Sequence, residues 1–468
     1  MLLLMSLLAC APELQEETAP IPMPEVWGTQ PAIDHDPAED VVEYHLEASM
    51  VEIQLADGEK TEVLAYNGQL PGPLLQARVG DTLRVVFENQ LDEATTIHWH
   101  GLRIENAMDG VPAVQDPVEP GETFIYEFAV EDAGSYWYHP HMRTYEQLDR
   151  GLYGLLTVHE KDPPKVDQER YFALDDMRLN DDNSISRYTL TRPDGRIGRY
   201  GNRLVINGQL ELLTDTIRPG AVERWRLVNT ASARTMWFSV DGASMRIVGT
   251  DGGLLPEPYE SSRVQLPVGQ RYDIEVIVDA DAEAVQLQLQ LPNDQGRFDT
   301  YPLFEAIVEG EPSTTQAPDW SGGPLPEIRE AEQEIELILD LEVGARRDQW
   351  TINGDVHHEE NHEHIHVIGN TPTHVILRNE SLFEHPFHLH GQFFQILSRD
   401  GEDPKEPGLK DTVLIAGEQE IVLYSEFENP GVWMVHCHIL EHGELGMMIE
   451  MDVTDGTDKD SSTGFGAP

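Results

Sequence analysis

Eight of the 19 histidines stand in four His-x-His pairs: His98 and His100, His139 and His141, His388 and His390, His436 and His438. On a β-strand residues i and i+2 share a face, so each pair presents two imidazoles side by side. Eight converging imidazoles suit copper, iron or zinc, and no single ion needs eight. Two ions with three His each and one with two would use them all. Cys437 lies between His436 and His438, and strand alternation turns its sulfur to the opposite face. There it can join His385, His442 and Met447. Two imidazoles, a thiolate and a weak axial thioether make a blue-copper electron-transfer site. Electrons would then run one way, from that site through Cys437 to the cluster.

An internal repeat orders these pairs. Asn67-Gly68-Gln69 precedes a run ending at Asn89, Asn207-Gly208-Gln209 one ending at Asn229, and Asn353-Gly354-Asp355 one ending at Asn379. The Asn-to-Asn spacings are 22, 22 and 26, so one β-unit occurs three times, with extra residues in the third where a His-rich stretch sits. Nine and eleven residues after the second Asn stand His98 and His100 in copy one and His388 and His390 in copy three. Copy two has Phe238 and Val240 there. His139 and His436 follow Gly134 and Gly431 by five residues, so all four pairs belong to the outer copies. Copy one has Thr95, Pro140 and Tyr145 where His385, Cys437 and His442 would stand, so only copy three can build the sulfur site. Short alternating runs such as Tyr272–Val278 and Val285–Leu291, broken by Gly, Pro, Asn and Asp, predict an all-β chain of sandwiches or barrels.

His98-Trp99-His100-Gly101, His139-Pro140-His141, His385-Pro386-Phe387-His388-Leu389-His390-Gly391 and His436-Cys437-His438-Ile439-Leu440-Glu441-His442 with Met447 resemble the four copper motifs of the multicopper oxidases, in order and approximate spacing. The resemblance runs from about residue 40 to 455 and is nearest to bacterial three-domain, laccase-like members. It implies an all-β fold of three consecutive cupredoxin-like Greek-key β-sandwich domains and four coppers per chain. The type 1 ligands would be His385, Cys437, His442 and Met447, and the type 2 ligands His98 and His388. The type 3 pair would take His100, His139, His141, His390, His436 and His438. Such enzymes take single electrons from a reductant at type 1 copper and reduce O2 to water at the trinuclear cluster. Asp109 matches a family carboxylate nine residues after His100 and is expected to donate or relay protons, the alternative being an Asp that caps a turn before Gly110. Many bacterial members carry Glu directly after the last type 1 His; here Gly443 stands there and Glu444, one further on, is a second candidate.

The predicted division is residues 1–39 as signal and acidic tether, 40–165 as domain one, 166–310 as a copper-free domain two, 311–333 as linker, 334–455 as domain three, and 456–468 as tail. The 468 residues carry 85 Asp and Glu against 31 Lys and Arg, a net charge of −54. That excludes nucleic acid as a main partner, which needs a basic footprint, and it favours cationic or neutral donors over anionic ones. Of the two cysteines, Cys10 ends an apolar stretch whose Leu7-Leu8-Ala9-Cys10 resembles a lipoprotein signal. Residues 11–59 hold 13 acidic residues and no Lys or Arg, as a solvated tether would. The expectation is an exported monomer, periplasmic or anchored to the outer membrane through lipidated Cys10.

For the reductant, the sequence before the third motif reads Ser381-Leu382-Phe383-Glu384 and the 13 Met are scattered, unlike the Met-rich cuprous oxidases. A phenol or aromatic amine approaching an exposed type 1 His edge is therefore expected, with cuprous ion as the alternative donor. A copper-free scaffold or copper-storage protein is the rival class, against which every motif here is complete. The stretch from His357 to His366 holds five His in ten residues and reads as a solvated loop, or alternatively as a metal-binding one.

Overall fold

The recurring Asn-Gly pairs are hairpin turns. Asn67, Asn207 and Asn353 take φ of 52°, 47° and 55°, and the glycines after them take 70°, 72° and 81°. Two successive left-handed residues define a type I′ turn, for which Asn-Gly is the favoured sequence. Each Asn also ties its turn to the neighbouring strand. Its amide donates to the carbonyl of His45, Tyr171 or Glu336, and its oxygen accepts from the N–H of Glu47, Ala173 or Ile338. The second repeated residue, Asn89, Asn229 or Asn379, donates to two carbonyls and accepts the N–H two residues on. This clamp shapes the loop that leads into the first histidine motif of each outer copy.

A computed structural model describes residues 23, 26–55, 58, 60–293, 295–357 and 364–456. Cys10, the early tether, residues 358–363 of the His-rich stretch and the tail from 457 lie outside the described residues. Among the described residues the strands form six sheets, two for each copy. In every copy the first long strand pairs in parallel with the strand that ends at the repeated Asn: Val41–Ile53 with Thr82–Asn89, Gln168–Met177 with Val222–Asn229, Gln333–Glu342 with Thr373–Asn379. The two sheets of a copy enclose their own apolar core, built around Leu83, Val85 and Tyr138 in copy one, Trp225, Ile274 and Leu287 in copy two, and Leu377, Leu423 and Val435 in copy three. A fourth cluster, with Trp137, Tyr171, Val228 and Leu440, binds the copies to one another. Among the described residues α-helix is confined to short pieces: α1 (Thr144–Gln147), α2 (Arg192–Ile197) and α3 (Leu440–Glu444).

Two connecting segments pack onto the folded copies, the first of them against expectation. Within the stretch read as a solvated tether, Val26–Trp27 pairs in parallel with Glu169–Arg170. The Trp27 ring lies 4.7 Å from Phe304 and 5.7 Å from Phe172, with the Arg170 guanidinium 4.9 Å over its face. Leu74 then bonds to Gln30 and Ala32 through the backbone. One tryptophan gives this segment enough apolar area to dock across copies two and one. The linker 311–333 behaves likewise. Trp320 is buried, its indole N–H donates to Glu275 at 2.6 Å, and Arg224 lies 5.4 Å over its ring.

Candidate metal centre

Matched strand registers deliver the imidazoles. The strand His98–His100 runs antiparallel to Gly134–His139 with His98 opposite His139, and His385–Leu389 runs antiparallel to Gly431–Cys437 with His388 opposite His436. The two copies present these strands to each other, and all eight histidines of the His-x-His pairs come together, each at most 8% exposed. Rings from different copies stack, His98 on His390 and His100 on His388, both at 3.8 Å between centroids. His141, His390 and His436 form one triad, with Nε2 of His436 3.0 Å from that of His390 and 3.5 Å from that of His141. His100, His139 and His438 form a second, with centroids 5.0–5.7 Å apart. His98 and His388 turn Nδ1 to the carbonyls of Asp109 and Asp411, at 2.9 and 3.0 Å, which leaves their Nε2 atoms facing inward.

These residues fit a metal on their own chemistry. Nε2 of His98, His139 and His388, Nδ1 of His100 and both nitrogens of His438 are buried without a hydrogen-bond partner. A folded protein rarely leaves so many buried polar atoms unsatisfied in one place unless a ligand serves them. Burial, reinforced by neighbouring imidazoles, holds His100, His139, His141, His390 and His438 well below the usual histidine range and His436 down to about 3. They are thus neutral imidazoles, the form that ligates.

The sulfur of Cys437 points the other way, as alternation requires. Sγ lies 3.4 Å from Nδ1 of His385 and 3.5 Å from Nδ1 of His442, and those two nitrogens are 3.0 Å apart. Met447 is buried in the same core cluster and its carbonyl accepts the Cys437 N–H. Burial pushes the Cys437 thiol up and holds His442 down to about 3. His385 Nε2 donates to the Ser381 hydroxyl at 3.2 Å and His442 Nε2 to the Arg196 carbonyl at 3.1 Å, so both rings present Nδ1 to the sulfur. In copy one, Thr95 donates to the Gln147 side chain instead, and no thiol is present.

His385 and His442, of which an exposed edge was expected, are both 0% exposed. Helix α2, with Thr191 as its N-cap and Pro193 in its first turn, lies over His442. Trp350 backs the same ring at 4.2 Å and donates to the carbonyl of Gly195 at 2.7 Å, and Asp348 holds Arg196 at 2.7 Å. The histidine motif gave no sign of this cover, because α2 comes from copy two.

The structure places Asp109 against two of the cluster imidazoles. Its Oδ2 is 2.8 Å from Nδ1 of His390 and its Oδ1 3.2 Å from Nδ1 of His98, so it touches one imidazole of each outer copy. It also follows the 3-10 turn Asn106–Met108, where its backbone N–H, not its carboxylate, closes the turn on the Asn106 carbonyl. Glu444 lines a cavity of about 920 Å³ together with His141 and His436. His357 and His364 line the same cavity, and His364 opens the strand His364–Ile368 and pairs with Glu450 at 3.2 Å. That end of the His-rich stretch is therefore part of a sheet and not a solvated loop. Sequence reasoning missed Asp411, buried against His388 and His100, and Arg271, which grips it; neither lies in a motif or at repeat spacing. Burial alone would raise the Asp411 carboxyl, but the charge and hydrogen bonds of Arg271 more than reverse this and hold it well below the usual range.

Family models described as multicopper oxidase match residues 47–163, 170–287 and 332–457. The multicopper oxidase MmcO of Mycobacterium tuberculosis is 30% identical over 435 residues, covering 84% of each chain. Among solved structures, a multicopper oxidase from Campylobacter jejuni described as a metallo-oxidase superposes with a TM-score of 0.80 at 27% identity, covering 92% of this chain and 96% of that one. A laccase-like multicopper oxidase from Ochrobactrum sp., described with activity towards lignin model compounds, gives a TM-score of 0.78 at 27% identity, covering 93% and 100%. The chain belongs to the multicopper oxidase family, as a three-domain, laccase-like, copper-dependent oxidoreductase that uses O2.

Proposed function

We propose that His385, Cys437, His442 and Met447 hold the type 1 copper, that His98 and His388 hold type 2, and that His100, His139 and His438 with His141, His390 and His436 hold the type 3 pair. The observation that carries this reading is the convergence of eight buried imidazoles beside a sulfur whose strand neighbours, His436 and His438, belong to the cluster. Held by these residues, copper would supply one-electron oxidation of a reductant and four-electron reduction of O2 to two waters. The protein's own share is geometric. The backbone of Cys437 joins the sulfur site to one imidazole of each type 3 triad. Ser381 and the Arg196 carbonyl fix the tautomers of His385 and His442, as the Asp109 and Asp411 carbonyls fix those of His98 and His388. Asp109 holds a proton position between the two outer copies; among the described residues its ion-pair partners are His98 and His390. Glu444, on the cavity reaching His141 and His436, is the second proton carrier.

The reductant in this reading is a neutral or cationic aromatic donor, a phenol or amine, oxidised by outer-sphere transfer, with the net charge of −54 disfavouring anions. A second reading, oxidation of cuprous ion, is favoured by the cover over His442, which a single ion evades more easily than a ring does. Copper-loaded protein should hold four coppers per chain, absorb strongly in the blue-copper band and consume O2 with a phenolic donor. A colourless or O2-inert holoprotein would sink the assignment, and parallel rates with phenol, aromatic amine and cuprous ion decide between donors. Export with anchoring through Cys10 belongs to the same proposal, and the mass of the mature N-terminus tests it.

A further inference from the structure

Asp109 has a counterpart on the opposite side of the cluster. The Asp109 carbonyl accepts Nδ1 of His98 at 2.9 Å while its carboxylate meets Nδ1 of His390 at 2.8 Å. The Asp411 carbonyl accepts Nδ1 of His388 at 3.0 Å while its carboxylate lies 3.3 Å from Nε2 of His100. Each Asp thus holds one imidazole of its own copy through the backbone and one of the facing copy through the side chain. The pair differs in one respect. Asp411 is gripped by Arg271, from the copy without metal ligands, at 2.7 and 2.5 Å. The remaining Arg271 donors reach the carbonyls of Ser135, Gly269 and Asp251, so every guanidinium N–H is satisfied and the fork cannot turn. Thr412 completes the set, its hydroxyl 2.8 Å from Asp411 Oδ1 and 3.3 Å from His100 Nε2.

We infer that Arg271 and Asp411 form a positioning device contributed by the middle copy, which dictates the nitrogen that His388 and His100 turn toward the metals. With its Nδ1–H committed to the Asp411 carbonyl, His388 can offer only Nε2. With Nε2–H committed to the Asp411 carboxylate and Thr412, His100 can offer only Nδ1. Those two atoms are among the buried nitrogens that lack a partner. Gly101 carries the imprint of the same device: its φ is +93°, and a Cβ there would lie 2.2 Å from Arg271 Nη2 and 2.7 Å from Asp411 Oδ2. Any side chain at 101 would push the fork off its carboxylate.

The inference rests on the cluster assignment proposed above, and one experiment separates the two. Wild type, Arg271→Lys, Arg271→Met and the double variant Arg271→Met/Asp411→Asn are loaded with copper. Each is read for copper per chain, the blue type 1 band and the type 2 electron paramagnetic resonance signal. Arg271→Met strands a buried carboxylate and is the variant most prone to misfold; the double variant removes both charges together. The expected result is a 10- to 100-fold loss of affinity for the cluster coppers in the double variant, seen as fewer coppers per chain and a disturbed type 2 signal, with the type 1 band intact and partial rescue in Arg271→Lys. Wild-type cluster copper affinity and a wild-type type 2 signal in the double variant overturn the positioning role. Loss of type 1 and type 2 together in every variant also overturns it, by making the pair a general support of the fold. A wild type that binds no type 2 copper defeats the cluster assignment instead.

Discussion

Replacing Ser381 by alanine should weaken the type 1 site alone, and the size of the effect follows from hydrogen-bond accounting. The Ser381 hydroxyl is buried, accepts from His385 Nε2 at 3.2 Å and from the Phe383 N–H at 3.2 Å, and donates to Asn379 Oδ1 at 2.8 Å. Without the hydroxyl, copper-free protein can shift the His385 proton to Nδ1, beside Cys437 and His442, and leave Nε2 bare. Copper-loaded protein cannot, because Nδ1 is then a ligand and Nε2 must carry a hydrogen with no acceptor. An unsatisfied buried donor costs about 1–3 kcal/mol. That cost falls on the loaded state, so type 1 affinity should drop about 5- to 150-fold, in the range known for lost partners of metal-bound histidines. Titration of the blue band against a competing chelator measures it, and Ser381→Thr, which keeps the hydroxyl, should recover most of the loss. Ser381→Ala with affinity within twofold of wild type would refute the tautomer argument, as would equal loss of trinuclear copper.

Asp109→Asn keeps an acceptor for His390 and removes the acid–base group, so O2 reduction should slow about 10²- to 10⁴-fold while the blue band still bleaches at the normal rate with donor; reoxidation kinetics after bleaching show it. Trp350→Phe deletes the N–H bonded to the Gly195 carbonyl and loosens α2, so kcat/KM for a bulky phenol should rise several-fold relative to cuprous ion; an unchanged ratio means that α2 does not gate donors. Burial, then the charges of Asp176 and Asp149, raise Asp175 well above the ordinary carboxylate value, so the folded chain binds more protons than the unfolded one from about pH 4 upward. Stability therefore falls as pH rises through that window. Asp175→Asn should be the more stable protein at pH 8, with the gap closing toward pH 4 in thermal melts.

The motifs, the threefold repeat and the all-β class were legible because each is a local signal. Asn-Gly encodes a turn conformation, Asn89 and its equivalents encode a loop clamp, and His-x-His encodes a shared strand face. The assignment of Cys437 to the opposite face from His436 and His438 needed only strand alternation. Non-local facts were not legible. Asp411 reaches His388 and His100 through the backbone path after the third motif, Arg271 arrives from another copy, and α2 covers His442 from a segment about 245 residues upstream. The docking of Trp27 went unread for a related reason: one aromatic in an acidic segment has no periodicity, and only its partners Phe172 and Phe304 make it structural.

The middle copy contributes no proposed metal ligand, yet it touches both sites. Its Gly269 packs against the cluster so closely that a Cβ there would lie 3.0 Å from His100 and 3.1 Å from His438. Arg271, two residues on, clamps Asp411, and α2 closes over His442. Both sites depend on imidazoles kept neutral by burial, and two facing sandwiches alone would leave their junction open to water on the side that copy two now fills. Readmitting water would restore the basicity of those rings and set protons against metal for the same nitrogens. A copy that has Phe238 and Val240 in place of a histidine pair thus serves the chemistry by dehydrating and orienting the ligands of the other two.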